Sequence, residues 1–222
     1  MLLAVDTSTQ ILGLALYDGI RVRGEMVWES HNHHTIELAP SIGELMSRCG
    51  VKSTDLKCLA VALGPGSFTS LRVGLAVVKG MAFGLHLPVV GIPTLDVLAA
   101  GQPLQNVPMA AGLQAGRGRL AVGWYENKGG GWVCNDPPAV MNAEKLAAQI
   151  KQPTYICGEM FESDRATLAR RWKNALLATP ANCVRRPGFL AELAWQRWQA
   201  GQEDGVAALE PIYLHLAEGI DA

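Results

Sequence analysis

Between Ser67 and Leu85 the chain carries almost no polar face. Leu71, Val73, Leu75, Val77, Val78, Met81 and Phe83 point all round a helical wheel, and Gly74, Ala76, Gly80, Ala82 and Gly84 thin the surface between them. A helix that is apolar on every side has to be covered on two of them. In a small domain a sheet supplies one cover. The other comes from a neighbouring helix or from a second protein, and the sequence leaves both open. The neighbour at hand is 35–49, an amphipathic segment with the stripe Leu38, Ile42, Leu45, Met46 and Cys49. Both covers apply if the two helices present one shared surface. Helix position and apolarity then make Leu38, Ile42, Leu45, Leu71, Gly74, Leu75, Val78 and Met81 the expected partner-facing residues.

The sheet is read from the remaining apolar runs. Residues 2–7, 11–17 and 21–28 are predicted strands, the last two joined by the tight-turn pair Asp18-Gly19. The helix 35–49 follows, with Pro40 expected to kink its first turns. A buried strand at 59–63 ends in Gly64-Pro65-Gly66, and Ser67 or Thr69 caps the apolar helix. Strand 89–92 and helix 94–100 complete the first half. After a break at 102–106 the same order returns: strands 107–113, 119–125 and 132–134, helix 143–150, strand 155–157, helix 163–172, strand 175–178 and helix 189–200. The predicted fold is α/β, two ribonuclease-H-like βββαβαβα halves (1–102 and 103–222), the duplicated architecture of actin, Hsp70 and sugar kinases.

Composition narrows the function classes. A chain of 222 residues, 49% hydrophobic with a formal charge of −1, reads as an ordinary soluble protein. It lacks the excess of Lys and Arg needed to hold nucleic acid by itself. Arg165, Arg170, Arg171, Lys173, Arg185 and Arg186 are the candidates for a local basic patch, and read first as charges solvating helix faces. The apolar start is interrupted at Asp6, so no secretory leader is expected, and no run of about 20 apolar residues stands out. The expectation is cytoplasmic, away from any membrane. Five scattered cysteines without a CxxC pair fit free thiols.

Two segments have shapes that hold anions. Asp6-Thr7-Ser8-Thr9 lies at the turn between the first two strands, where hydroxyls and backbone N–H groups cradle phosphates in nucleotide-binding folds of this type. Asp6, Thr7 and Ser8 are therefore cofactor-binding candidates, although the composition is also that of a plain turn. The loop Gly64-Pro65-Gly66-Ser67 opens a helix, an anion-binding shape, but lacks the Gly-Lys-Ser/Thr ending of a P-loop. His31, His33 and His34 with Glu37 are the sole cluster of potential metal ligands, and lack a matching ligand at known spacing. No nucleophile–base set or paired carboxylates stand out, so neither a catalytic nor a metal residue is expected.

These motifs resemble the TsaB family, once grouped with glycoproteases. The resemblance rests on Asp6-Thr7-Ser8, on His34-Thr35 with Glu37 and Pro40, and on the run from Gly64-Pro65-Gly66 to Val73-Gly74. It continues through Lys79-Gly80, Pro88 and Thr94-Leu95-Asp96, and Pro211-Ile212-Tyr213-Leu214 resembles the family's C-terminal segment. It implies a scaffold subunit without chemistry of its own, paralogous to the catalytic subunit TsaD, for installing threonylcarbamoyl-adenosine in transfer RNA. TsaD carries a His-x-x-x-His metal site, whose histidines align with Thr94 and Leu98 here; a hydroxyl and an isobutyl group cannot replace two imidazoles. Relatives usually read Asp-Ala-Arg where this chain has Gln114-Ala115-Gly116-Arg117. By the same resemblance the first two helices form a bundle with TsaD. TsaE, a small ATPase, joins the pair, and TsaC supplies the adenylate that TsaD consumes. Any ATP or ADP would sit at the complex interface, transfer RNA would be met only through the complex, and without TsaD the surface closes as a homodimer. The competing readings are a stand-alone ATP-dependent phosphotransferase of the sugar-kinase type, suggested by Asp6, and a metalloprotease, opposed by Thr94 and Leu98.

Overall fold

The computed structural model describes residues 1–31, 33–171 and 173–214. β1 (Leu2–Asp6), β2 (Ile11–Tyr17), β3 (Val22–Glu29), β4 (Cys58–Ala62) and β5 (Val89–Ile92) form one sheet in the order β3-β2-β1-β4-β5. β1 runs antiparallel to β2 and parallel to β4. Both β1 and β4 are buried at every residue. A strand covered on both faces reads as an unbroken apolar run, and LLAVD and CLAVA are such runs.

The second sheet repeats the plan. β6 (Met109–Gln114), β7 (Leu120–Lys128), β8 (Gly131–Cys134), β10 (Thr154–Glu159) and β11 (Ala175–Leu177) are ordered β11-β10-β6-β7-β8. The central strand is again the first of its half, flanked by an antiparallel hairpin on one side and parallel strands on the other. An additional strand, β9 (Ala139–Met141), pairs with β7. Three residues behind Pro137-Pro138 are too few to show alternation in the sequence.

Helices cover both sheets. α1 (His34–Arg48) and α2 (Phe68–Leu85) lie on the first sheet, with Leu38, Ile42, Leu45, Leu75 and Val78 packed among Leu3, Val5, Leu14 and Val61. α1 is a single helix that continues across Pro40. Ser67 is the N-cap of α2, its hydroxyl accepting from Ser70 N. α4 (Ala143–Gln149) and α5 (Glu162–Ala169) cover the second sheet through Leu146, Ala147 and Leu168. The predicted extension of α5 to Trp172 ends outside the described residues.

The third helix of each half behaves differently. α3 (Thr94–Ala100) sends Leu95, Leu98 and Ala99 among Met109, Ala111, Leu113 and Tyr125 of the second sheet. α6 (Pro187–Gln199) sends Leu190, Ala191 and Ala194 among Leu2, Ala4, Ala15 and Val90 of the first. The two helices touch each other between the sheets. The chain then returns to the first half, where Asp204 N donates to Val89 O at 2.8 Å and Ile212 N to Leu63 O at 2.7 Å. The division at 102/103 thus coincides with the change of sheet, but α6 and 204–212 complete the first half. Local sequence order carries no mark of such an exchange, because each helix is equally amphipathic against either sheet.

α2, apolar all round as expected, is the one described helix long and apolar enough to cross a bilayer by length and composition. Its inner face is built into the core of the first half, with Leu71, Leu75, Val78 and Ala82 buried. Each such aliphatic side chain contributes about 1.5–3 kcal/mol to that packing.

Candidate functional site

The ends of β1 and β4 meet where a phosphate site was expected. Asp6, Thr7 and Ser8 are all buried there, and all are already engaged. Asp6 Oδ1 accepts from Ser8 N at 2.9 Å, and Asp6 Oδ2 accepts from Arg185 Nε at 2.8 Å. Thr7 Oγ1 donates to Ser70 O at 2.7 Å, tying β1 to α2. Ser8 Oγ pairs with Thr94 Oγ1 at 2.7 Å, and Thr94 Oγ1 also accepts from Gly64 N at 2.9 Å. The three candidates therefore hold loops together, and no phosphate reaches them without displacing those partners. The two loops also touch: Ser67 N donates to Ser8 O at 2.7 Å, and a Cβ on Gly66 would collide with Ser8 O. Glycine is used here for close backbone approach, not for wrapping an anion.

Arg185 was missed as a site residue. It stands just before α6, and its side chain is 1% exposed. Besides Asp6 it reaches Glu159 with Nη1, and Nη2 donates to Thr9 Oγ1 at 3.1 Å and Ile11 O at 3.2 Å. Glu159, at the end of β10, also accepts from Thr9 Oγ1 at 2.7 Å. Burial pushes the Glu159 carboxyl above the usual carboxylate range, and Arg185 and Thr9 pull it back only in part. In the sequence Arg185 read first as one of several charges solvating helix faces, with a local basic patch as the other reading. That grouping fails: Arg185 is buried, Arg186 pairs with Glu25, and Arg165 donates to Ala178 O at 2.8 Å.

Beside this cluster a cleft of about 760 Å³ separates the halves, lined in part by Phe68, Gln114, Glu159, Phe161 and Arg165. Gln114 Nε2 donates to Asp164 Oδ2 at 2.8 Å. Its Oε1 is the one buried side-chain oxygen or nitrogen among the described residues without a hydrogen-bond partner. Thr94 and Leu98 are both buried, one bonded to the glycine loop and the other in the second core. Neither offers a ligand atom to the cleft. His34 Nε2 is bonded to Thr9 O at 2.9 Å, His33 faces Glu37 at 3.8 Å and His31 faces Glu29 at 4.0 Å. The histidines face three different ways, and among the described residues no three His, Cys, Asp or Glu could hold a metal ion.

The expected partner surface needs a correction. Leu38, Ile42, Leu45, Leu71, Gly74, Leu75 and Val78 are buried in the protein's own core. A Cβ on Gly74 would collide with Thr7 Oγ1, so this glycine seats α2 on β1. Met81 is half-buried at the edge. The largest apolar residues serve the sheet, which offers the largest area, and the small ones are left outside. The outward face includes Ile36, Ala39, Pro40, Gly43 and Glu44 on α1 with Arg72, Ala76, Gly80, Phe83 and Gly84 on α2. Ile36 is 68% exposed and Phe83 82%, and a Cβ placed on Gly43, Gly80 or Gly84 meets nothing within 4 Å. Small residues at that spacing leave room for another helix to approach closely.

A profile of the family described as "TsaD: tRNA N6-adenosine threonylcarbamoyltransferase" matches residues 26–164, more than half the chain. The Bacillus subtilis (strain 168) tRNA threonylcarbamoyladenosine biosynthesis protein TsaB is 32% identical over 227 residues, covering 98% of this chain and 95% of its own. The solved structure of YeaZ from Pseudomonas aeruginosa superposes with a TM-score of 0.80 at 26% identity, covering 96% of this chain and 99% of that one. The ROK hexokinase of Thermus thermophilus, at 11% identity and a TM-score of 0.50 over 90% of this chain and 99% of that one, shares the fold alone.

Proposed function

The chain belongs to the TsaB branch of this family, and from that premise we propose that it serves threonylcarbamoyladenosine biosynthesis in the cytoplasm as a scaffold for TsaD. The observation that carries the reading is the uncovered face of small residues on α1 and α2. Its centre is apolar and built from two helices, with Glu44, Arg48 and Arg72 around it, which suits a helical bundle with the equivalent helices of a paralogue. In the absence of TsaD a second copy of this chain covers the same face. TsaE and TsaC act with the pair, and transfer RNA is engaged through the complex.

A role without chemistry of its own is supported by the state of the loops. Asp6 is occupied by Arg185, and Gln114 stands at the end of β6 where the second half repeats Asp6. Thr94 and Leu98 supply no metal ligands. The phosphotransferase alternative rests on Asp6 as a free carboxylate, and this one is neither free nor exposed.

The test is co-purification with the cognate TsaD, together with threonylcarbamoyl transfer to transfer RNA assayed with and without this chain. Gly80→Arg and Ala76→Arg should leave the fold intact and abolish both complex and product. Product formed by TsaD equally well without this chain, or a complex indifferent to both arginines, overturns the proposal.

A further inference from the structure

Asp6 closes the central strand of the first sheet, and Glu159 closes a strand beside the centre of the second. Both carboxylates turn into the space between the halves, and one guanidinium spans them. Arg185 belongs to neither sheet. It lies on the segment that carries the chain from the second half into α6, the helix that completes the first. Its contacts divide accordingly, with Asp6, Thr9 and Ile11 on one side and Glu159 on the other. Five N–H groups in a rigid plane can satisfy such a set only when the two carboxylates stand at one separation. An ammonium at the same place would act as a point charge and tolerate many separations. The surrounding bonds are graded to the same end: Ser8 N holds Asp6 from behind, and Thr9 Oγ1 holds Glu159.

We infer that the Asp6–Arg185–Glu159 cluster is a latch that fixes the angle between the two halves, with Arg185 as its positioning residue. The latch stands independently of any reading of the α1–α2 face. A core residue would act differently, since its loss weakens the whole fold without selecting an angle.

The experiment reads the angle directly. Spin labels are placed on Lys52→Cys and Lys151→Cys, one exposed site in each half, with the partly exposed Cys49 and Cys134 changed to serine. The distance distribution between them is measured by pulsed electron resonance. The native latch should give one narrow distance. Arg185→Met leaves the buried Asp6 and the half-buried Glu159 carboxylates uncompensated and is expected to compromise folding. The deciding variant is therefore the neutral triple Asp6→Asn, Arg185→Met, Glu159→Gln, which removes the latch without stranding a charge. It should melt cooperatively, yet show a distribution about twofold broader, as expected for a released hinge. Arg185→Lys should broaden it by less. A triple variant that keeps the narrow native distance overturns the inference. So does one that fails to fold, because the cluster then builds the halves and does not set their angle.

Discussion

The two halves share a strand order and differ in their helices. α1 and α2 of the first half have 15 and 18 residues, whereas α4 and α5 of the second have 7 and 8. The outward faces differ as much as the lengths. α4 shows Glu144, Lys145, Ala148 and Gln149 to solvent and α5 shows Glu162, Ser163, Ala166 and Ala169, whereas α2 shows Phe68, Thr69, Arg72, Ala76, Gly80, Phe83 and Gly84. A sheet needs one cover to close its core, and the short helices supply it with a wettable exterior. The long pair covers its sheet equally well and keeps an unwetted exterior besides. Duplication thus provided two scaffolds of one design, and the docking surface proposed above belongs to one of them.

The largest expected effect lies between the halves. Arg185→Met should cost about 3–5 kcal/mol by stranding the buried Asp6 and the half-buried Glu159 carboxylates, lowering the melting temperature by on the order of 10 °C. Gln114, which occupies in the second half the place of Asp6, is uncharged and donates to Asp164, which keeps Phe161 N as a second donor; Gln114→Leu should cost about 1.5–3 kcal/mol. Equal losses for the two would remove the asymmetry at the strand ends.

Next come the glycines of α2, which separate the core from the surface. Gly74→Val should destabilise by about 1–3 kcal/mol, because its side chain enters Thr7. Gly80→Val, in open space, should stay within about 0.5 kcal/mol. Thermal melts of the pair check both. An arginine on the second half, at Ala148 of α4 or Ala169 of α5, should leave TsaD capture unchanged where Gly80→Arg abolishes it. Loss of capture from either half alike would mean that the surface is not confined to α1 and α2.

The smallest effect concerns pH. Burial pushes the Asp96 carboxyl above its usual range, and the hydrogen bond from Tyr125, 2.8 Å long, offsets this in part. The folded state therefore takes up this proton more readily than the unfolded chain. Its contribution is fully present below the ordinary carboxylate value near 4 and is lost as pH rises through the higher folded value. Asp96→Asn keeps the acceptor for Tyr125 and removes that loss. Melting measured from about pH 4 to pH 7 should fall less steeply for the variant, by no more than about 1 kcal/mol overall.

Much of this molecule was legible before folding. Ile11–Tyr17, Val89–Ile92 and Thr94–Ala100 have the predicted bounds, and the doubled order of elements is present. Hydrophobic period and turn residues are local signals, and these elements are set locally. The residues expected to face a partner on α2 turned out to be its inward ones, because the apolar count cannot say which side of an all-apolar helix the sheet will take. Arg185 carried no signal at all. Its meaning depends on Asp6 and Glu159, which lie far from it in the chain and come together only through tertiary folding.

The exchange of α3 and α6 also orders events in time. A ribosome delivers β1 to β5 early, yet the helix that seals their second face is made of residues 187–199. Until those emerge, Leu2, Ala4, Ala15 and Val90 have no cover. The first half therefore cannot mature as a separate unit during synthesis, and both halves must settle together in one late, long-range step. A fragment ending at Gly101 would expose a bare apolar sheet and is expected to aggregate rather than fold.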